Sequence, residues 1–226
     1  MEAVNTPLFG LVITIAAYFV SMRLYVRFQW LHPLISASCL LILFLAITGI
    51  PYDQYRLGGD MLSFLLGPAT VALAVPLYKH YALMRKQLGM ILSGVIIGCL
   101  AGIISAAGIV LLFGGSRELM LTMIPKTVTT PIAIEIVQTM GGVPELGAVL
   151  TVLTGLIGSV IGPRLMELCG IRSDMAIGVA MGTSSHGIGT AKLFHESSLQ
   201  ASVSGFAMGL AGISLSLLMI PLRYFL

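Results

Sequence analysis

Two short stretches of this chain carry polar groups that apolar packing alone gives no reason to keep. The first is Ile124-Pro125-Lys126-Thr127-Val128-Thr129-Thr130-Pro131. Pro125 and Pro131 interrupt a helix there and free backbone groups that need partners. Thr127, Thr129 and Thr130 offer hydroxyls, and Lys126 offers an ammonium. A half-helix starting at Pro131 would turn its positive N-terminal dipole into the gap. An ammonium, three hydroxyls and a helix N-terminus together describe an anion site, and a carboxylate fits it. The alternative is that Lys126 snorkels to an interface while the threonines cap a kink. Glu135 lies in the same segment, as an internal partner or a proton carrier.

The second stretch is Gly182-Thr183-Ser184-Ser185-His186-Gly187-Ile188-Gly189-Thr190-Ala191-Lys192. Gly182, Gly187 and Gly189 permit an unwound backbone and close helix contact. Thr183, Ser184, Ser185 and Thr190 add hydroxyls. His186 is the histidine inside an apolar segment, and a reference pKa of about 6.5 suits proton coupling. The alternative is a hydrogen-bonded packing histidine. Catalysis is not indicated, because Ser184, Ser185 and His186 are neighbours in sequence rather than a spatial triad, and the stretch is not GxSxG. HExxH and the P-loop are both absent from the sequence. Cys39, Cys99 and Cys169 stand singly in or beside apolar runs, without metal-type spacing. No metal or cofactor is expected.

The elements that must hold these stretches are membrane helices. The chain of 226 residues is 57% hydrophobic and 9% charged, with a mean hydropathy of +1.01. Soluble domains carry about 25% charged residues, and a fold of this size cannot bury so much apolar surface. The net charge of +3 lacks the basic stripe of a nucleic-acid binder. The expected fold is all-α and polytopic, with about seven to eight segments of membrane-crossing character. They run over Pro7–Met22, Pro33–Ile50, Met61–Tyr78, Leu88–Phe113, Leu119–Met140, Leu146–Ile161, Met175–Phe194 and Ala201–Leu222. The first begins without a basic leader region and reads as a membrane helix rather than a cleaved signal. Gly67, Pro68 and Pro76 break the third segment, as Pro125 and Pro131 break the fifth. The basic clusters Arg23/Arg27 and Lys79/Arg85/Lys86 fall on one side if segments two and three each cross once, which puts the N-terminus outside.

The chain also echoes itself. Ser93-Gly94, Gly98 and Ala101-Gly102 match Ser204-Gly205, Gly209 and Ala211-Gly212, and Pro68-Ala69-Thr70-Val71 matches Pro125-Lys126-Thr127-Val128. A single membrane domain, 1–226, with halves at 7–113 and 119–226 is expected. Duplicated halves with interrupted helices are a transporter signature. Four full crossings per half would make the repeats parallel, and a re-entrant segment in each would invert them.

The same motifs resemble the LrgB/CidB family. Pro125–Ala133 matches its first motif, with Thr127 where Ser is usual, and Gly182–Ala191 its second, which more often has Ala near Ser184. Lys192 stands where Arg is common. Leu65–Tyr78, Gly49–Tyr52 and Asn5–Gly10 extend the resemblance along nearly the whole chain. The resemblance implies one of two functions. Some members are similar to carriers of small monocarboxylates, 2-oxo or 2-hydroxy acids such as pyruvate, glycolate or glycerate. Others are named antiholin-like regulators of murein hydrolase export and cell lysis, acting with a small LrgA/CidA-type membrane partner. The anion-site residues favour the carrier, expected to be ion- or proton-coupled; a multi-pass protein of the plasma membrane is expected, with a homo-oligomer as one arrangement.

Overall fold

The computed structural model describes residues 6–28, 33–72, 74–194 and 196–225. Asn5 and Leu73 of the motifs lie outside the described residues, as does the side chain of Pro76. Every regular element among the described residues is helical. The chain packs as two units, Met1–Ala72 and Leu73–Leu226.

The first unit holds α1 (Pro7–Arg27), α2 (Pro33–Thr48), α3 (Tyr52–Phe64) and α4 (Leu66–Ala72). α1 packs against both α2 and α3. Glycines set the α1–α3 crossing: a Cβ on Gly58 would come within 2.6 Å of the Gly10 Cα. Beside it the Thr14 and Tyr55 hydroxyls lie 3.0 Å apart.

The second unit holds α5 (Ala74–Lys79), α6 (Tyr81–Lys86), α7 (Leu88–Leu112), α8 (Arg117–Met123), a 3-10 turn (Ile124–Thr127), α9 (Thr130–Met140), α10 (Pro144–Leu168), α11 (Asp174–Leu193) and α12 (Ser198–Phe225). Local chemistry explains the boundaries. The Ser116 side chain caps α8 by accepting from the Leu119 N–H. Prolines stand in the first turns of α9 and α10, where a missing N–H costs nothing. Gly141 ends α9 with φ 83, a conformation that a side chain disfavours. Thr122 then ties the next turn, donating to the Glu118 carbonyl at 2.7 Å and accepting from the Val143 N–H at 2.9 Å.

α7 buries one stripe, Ile91, Val95, Cys99, Ile103, Ala106 and Val110, in a core shared with α8, the 3-10 turn, α11 and α12. Its other faces stay apolar and exposed, as at Ile104 and Leu111. Four described helices are long and apolar enough to cross a bilayer: α1, α7, α10 and the Ser198–Leu222 part of α12. Helices are the economical way through hydrocarbon because they satisfy their own backbone. This is a membrane protein.

The eight expected segments map onto these elements unevenly. The first runs on to Arg27, and the sixth to Leu168, through Pro163. The second is the shorter apolar helix Pro33–Thr48. The third divides among α3, α4 and α5, and the fifth among α8, the 3-10 turn and α9. Hydropathy averaged over such stretches hides the division, since it does not register where one short helix ends and the next begins.

Candidate functional site

In the second unit a cavity of about 730 Å³ lies among α7, the 3-10 turn, α10 and α11. Ligand pockets commonly measure about 300–1,000 Å³. One wall is the small-residue stripe of α7, Gly94, Gly98, Ala101 and Gly102, with Met90, Ile97 and Ser105. The turn contributes Lys126 and Thr127, α10 contributes Thr154, and α11 contributes Val179, Ala180, Thr183 and Ser184 with Ala176.

The polar atoms of this wall fall into two groups. Thr154 donates to the Leu150 carbonyl at 2.8 Å, Ser184 to Ala180 at 2.7 Å and Ser105 to Gly102 at 3.0 Å. Their protons are spent, and they face the cavity as acceptors. Lys126 Nζ, Thr127 Oγ1 and Thr183 Oγ1 are buried without any hydrogen-bond partner. Five buried side-chain N and O atoms are in that state among the described residues, and three of them are here. Threonines in helices ordinarily bond back to the carbonyl four residues earlier, as Thr122, Thr139 and Thr151 do. Thr183 does not. No Asp or Glu is among the described residues that line the cavity. The unspent groups are one cation and two hydroxyls, a set that receives an anion.

Glycines position both free hydroxyls. A Cβ on Gly98 would meet the Thr183 methyl at 2.7 Å, and one on Gly102 the Thr127 methyl at 3.3 Å. These glycines are one helical turn apart, so the two threonines stand about 6 Å apart along α7. The turn itself is set by Pro125, after which Val128 and Thr129 are extended before α9 begins.

Other expected site residues lie elsewhere. Thr129 and Thr130 start α9 and do not line the cavity, nor does Pro131, which is exposed. Glu135 is exposed on α9, and the Thr139 hydroxyl donates to its carbonyl. Ser185 faces α10, where Gly158 makes room for its hydroxyl. His186 is 4% exposed and also faces α10, with its ring against Gly155. Its Nε2 lies 3.0 Å from the Thr151 carbonyl, which can only accept, so Nε2 carries hydrogen. The His186 backbone has φ 41 and ψ −133 and divides α11 into two helical stretches. Thr190 donates to the His186 carbonyl at 2.8 Å and accepts from Ser204 at 2.8 Å.

Gly187 is not the point of division, although it follows it. Gly182 instead allows the Ser204 carbonyl of α12 to approach, and Gly189 packs over Ser185. Gly67 and Pro68 lie exposed in α4 of the first unit. The sequence reading missed Thr154, Ser105 and the α7 stripe as parts of a site. The four-residue spacing of Gly94, Gly98 and Gly102 was the available signal.

The model of the LrgB-like family matches residues 14–225. Two Bacillus subtilis (strain 168) proteins are similar to this chain along nearly all their length. "Uncharacterized protein YxaC" is 37% identical over 205 residues, 90% of this chain and 89% of its own. "Uncharacterized protein YwbG" is 38% identical over 206 residues, 90% and 92%. No solved structure matches.

Proposed function

This chain belongs to the LrgB-like family, and from that premise we propose that it is a multi-pass plasma-membrane carrier of small monocarboxylates. The observation that carries the reading is the Lys126 nitrogen, left without a partner in the same cavity wall as two unpartnered threonine hydroxyls, with no carboxylate among the described lining residues. A buried cation without a partner is costly, and a substrate carboxylate supplies the partner. One cation suits one carboxylate, so dicarboxylates are disfavoured. The spent hydroxyls of Thr154 and Ser184 can accept from a 2-hydroxyl, while Thr183 can donate to a 2-oxo oxygen. This supports 2-oxo and 2-hydroxy acids such as pyruvate, glycolate and glycerate. The helix division at His186 supports a carrier, since such folds place substrates beside interrupted helices.

The test is uptake of radiolabelled pyruvate, glycolate and glycerate by proteoliposomes of the purified chain, against succinate and an uncharged sugar alcohol. Saturable uptake of the monocarboxylates, lost in Lys126→Met, is expected. Removing one partner of a buried ion pair costs about 3–5 kcal/mol, or on the order of a hundredfold to several thousandfold in affinity. Equal flux of the sugar alcohol would point instead to a pore, as an antiholin-like regulator with a small membrane partner would form. Parental affinity in Lys126→Met would end the reading.

A further inference from the structure

Among the described residues, Lys126 is the one titratable side chain in the cavity wall. The turn that carries it packs against α7, α8, α9, α10 and α11. None of their titratable groups is among the described residues that line the cavity. On α7, Cys99 is in the core, with its sulfur 3.9 Å from the Ala211 carbonyl of α12. On α8, Arg117 and Glu118 are exposed at the end away from the turn. Glu135 is exposed on α9, as are Glu145, Arg164 and Glu167 on α10. On α11, Asp174 accepts from Gln200 at 2.7 Å, and Lys192 pairs with Glu196 at 3.8 Å. The His186 imidazole faces α10, its Nε2–H held by the Thr151 carbonyl.

Without substrate, a charged Lys126 would stand among alkyl groups and hydroxyls with no counter-charge. That state is expensive in a membrane interior, and a buried ion either pairs or gives up its charge. The carrier must pass through the empty state to complete net transport. We infer that Lys126 is the proton-coupling group: carboxylate and proton enter together as an ammonium–carboxylate pair, leave together, and the cavity returns empty with a neutral amine. The inference rests on the carrier reading above. The step balances without any other reactant. The amine takes a proton from water on the entry side, its nitrogen lone pair forming the new N–H bond, and the carboxylate joins it. On the exit side that N–H bond breaks and both depart to water. One proton accompanies one negative charge, so the cycle is electroneutral.

An arginine at this position separates binding from coupling, because a guanidinium pairs with carboxylate yet does not deprotonate in proteins. The experiment compares the parent, Lys126→Arg, His186→Gln and Glu135→Gln in proteoliposomes, with radiolabelled pyruvate and protein-free vesicles as the blank. Two modes are read: exchange of labelled for unlabelled pyruvate at equal pH, and net uptake driven by an acidic outside. The parent should show both, with accumulation rising about tenfold per pH unit for one proton per anion. An imposed membrane potential should leave it unmoved. Lys126→Arg should keep exchange, which also shows that it is folded, and lose net uptake at least tenfold. Glu135→Gln should follow the parent. Net uptake at the parental level in Lys126→Arg overturns the inference. So does loss of gradient dependence in His186→Gln alone, which would move the coupling to the imidazole. A parent that exchanges pyruvate but ignores the pH gradient refutes the coupling and leaves the carrier standing. A parent that neither exchanges nor accumulates any of the acids refutes the carrier itself.

Discussion

Replacing Gly98 with Ala tests whether the α7 stripe sets the geometry of the cavity. The new Cβ would lie 2.7 Å from the Thr183 methyl and 3.5 Å from its Cβ. Threonine is branched at Cβ and has a single side-chain rotation with which to escape. Either that rotation carries Oγ1 off its present line, or α11 moves back from α7. Overpacking of this kind costs about 1–3 kcal/mol of stability. A hydrogen bond from Thr183 to the 2-oxo oxygen of pyruvate is worth about 0.5–1.5 kcal/mol, so losing it should raise KM about 2- to 13-fold. Three variants on the same helix separate the two effects. Gly89→Ala and Gly108→Ala meet nothing within 4 Å, and alanine there should raise Tm slightly through helix propensity. Gly94→Ala meets the Val179 Cγ1 at 2.9 Å, so it should lower Tm much as Gly98→Ala does with a smaller change in KM. The assay is pyruvate uptake kinetics beside thermal unfolding in detergent. Parental KM in Gly98→Ala, or equal KM changes in Gly94→Ala and Gly98→Ala, would refute the reasoning.

Three further outcomes follow from particular contacts. His186→Gly should be less destabilising than His186→Ala, although it removes more atoms, because φ 41 strains any side chain by about 1–3 kcal/mol and glycine escapes the strain; thermal unfolding in the reverse order would reject strain at this position. Thr122→Val keeps the shape but leaves the Val143 N–H without its acceptor, and should lose about 1–3 kcal/mol in denaturant unfolding. A cysteine at the exposed Arg85, in a background with exposed Cys39 and Cys169 changed to Ser, should resist an impermeant thiol reagent in intact cells and react in inverted vesicles; labelling in intact cells would reverse the topology.

The helical, membrane-embedded character of the chain is legible in composition, because no other solvent accommodates 57% hydrophobic residues. The interruptions are legible only as places where a helix is weakened. At Pro125 the proline gives a tight turn and puts Lys126 and Thr127 on one wall. In the second stretch three glycines suggest glycine as the breaking residue, yet the backbone leaves the helix at His186. What decides it is tertiary. The ring fits over Gly155, its Nε2–H reaches the Thr151 carbonyl, and Thr190 covers the His186 carbonyl. None of those partners is near in sequence except Thr190. Thr154 and Ser105 were illegible for the same reason, since a lone hydroxyl in an apolar run has no periodicity to mark it. Lys126 stood out because a charge in such a run is conspicuous without any partner being known.

The two sides of α11 argue against a purely structural account of its polar residues. Toward α10 lie Gly155, Gly158 and Gly162, and the side chains they admit are the His186 ring, the Ser185 hydroxyl and the Met181 sulfur. Of these, His186 has its carbonyl partner and Ser185 bonds Ser184 at 3.1 Å. Toward α7 lie Gly94, Gly98 and Gly102, and against them rest Val179, Thr183 and Thr127. Both threonine hydroxyls on this side are orphaned, and Lys126 lines the same cavity. If small and polar residues served only close helix packing, both sides would satisfy their hydroxyls, because a bond back to the preceding turn is available within a helix. Ser184, the very next residue, makes that bond. Each buried orphan costs about 1–3 kcal/mol, and valine would fill the place of threonine without that penalty. The orphans stand where glycine has opened a cavity and where no acid is among the described lining residues. A guest that brings its own oxygen atoms and one negative charge would supply what those groups lack.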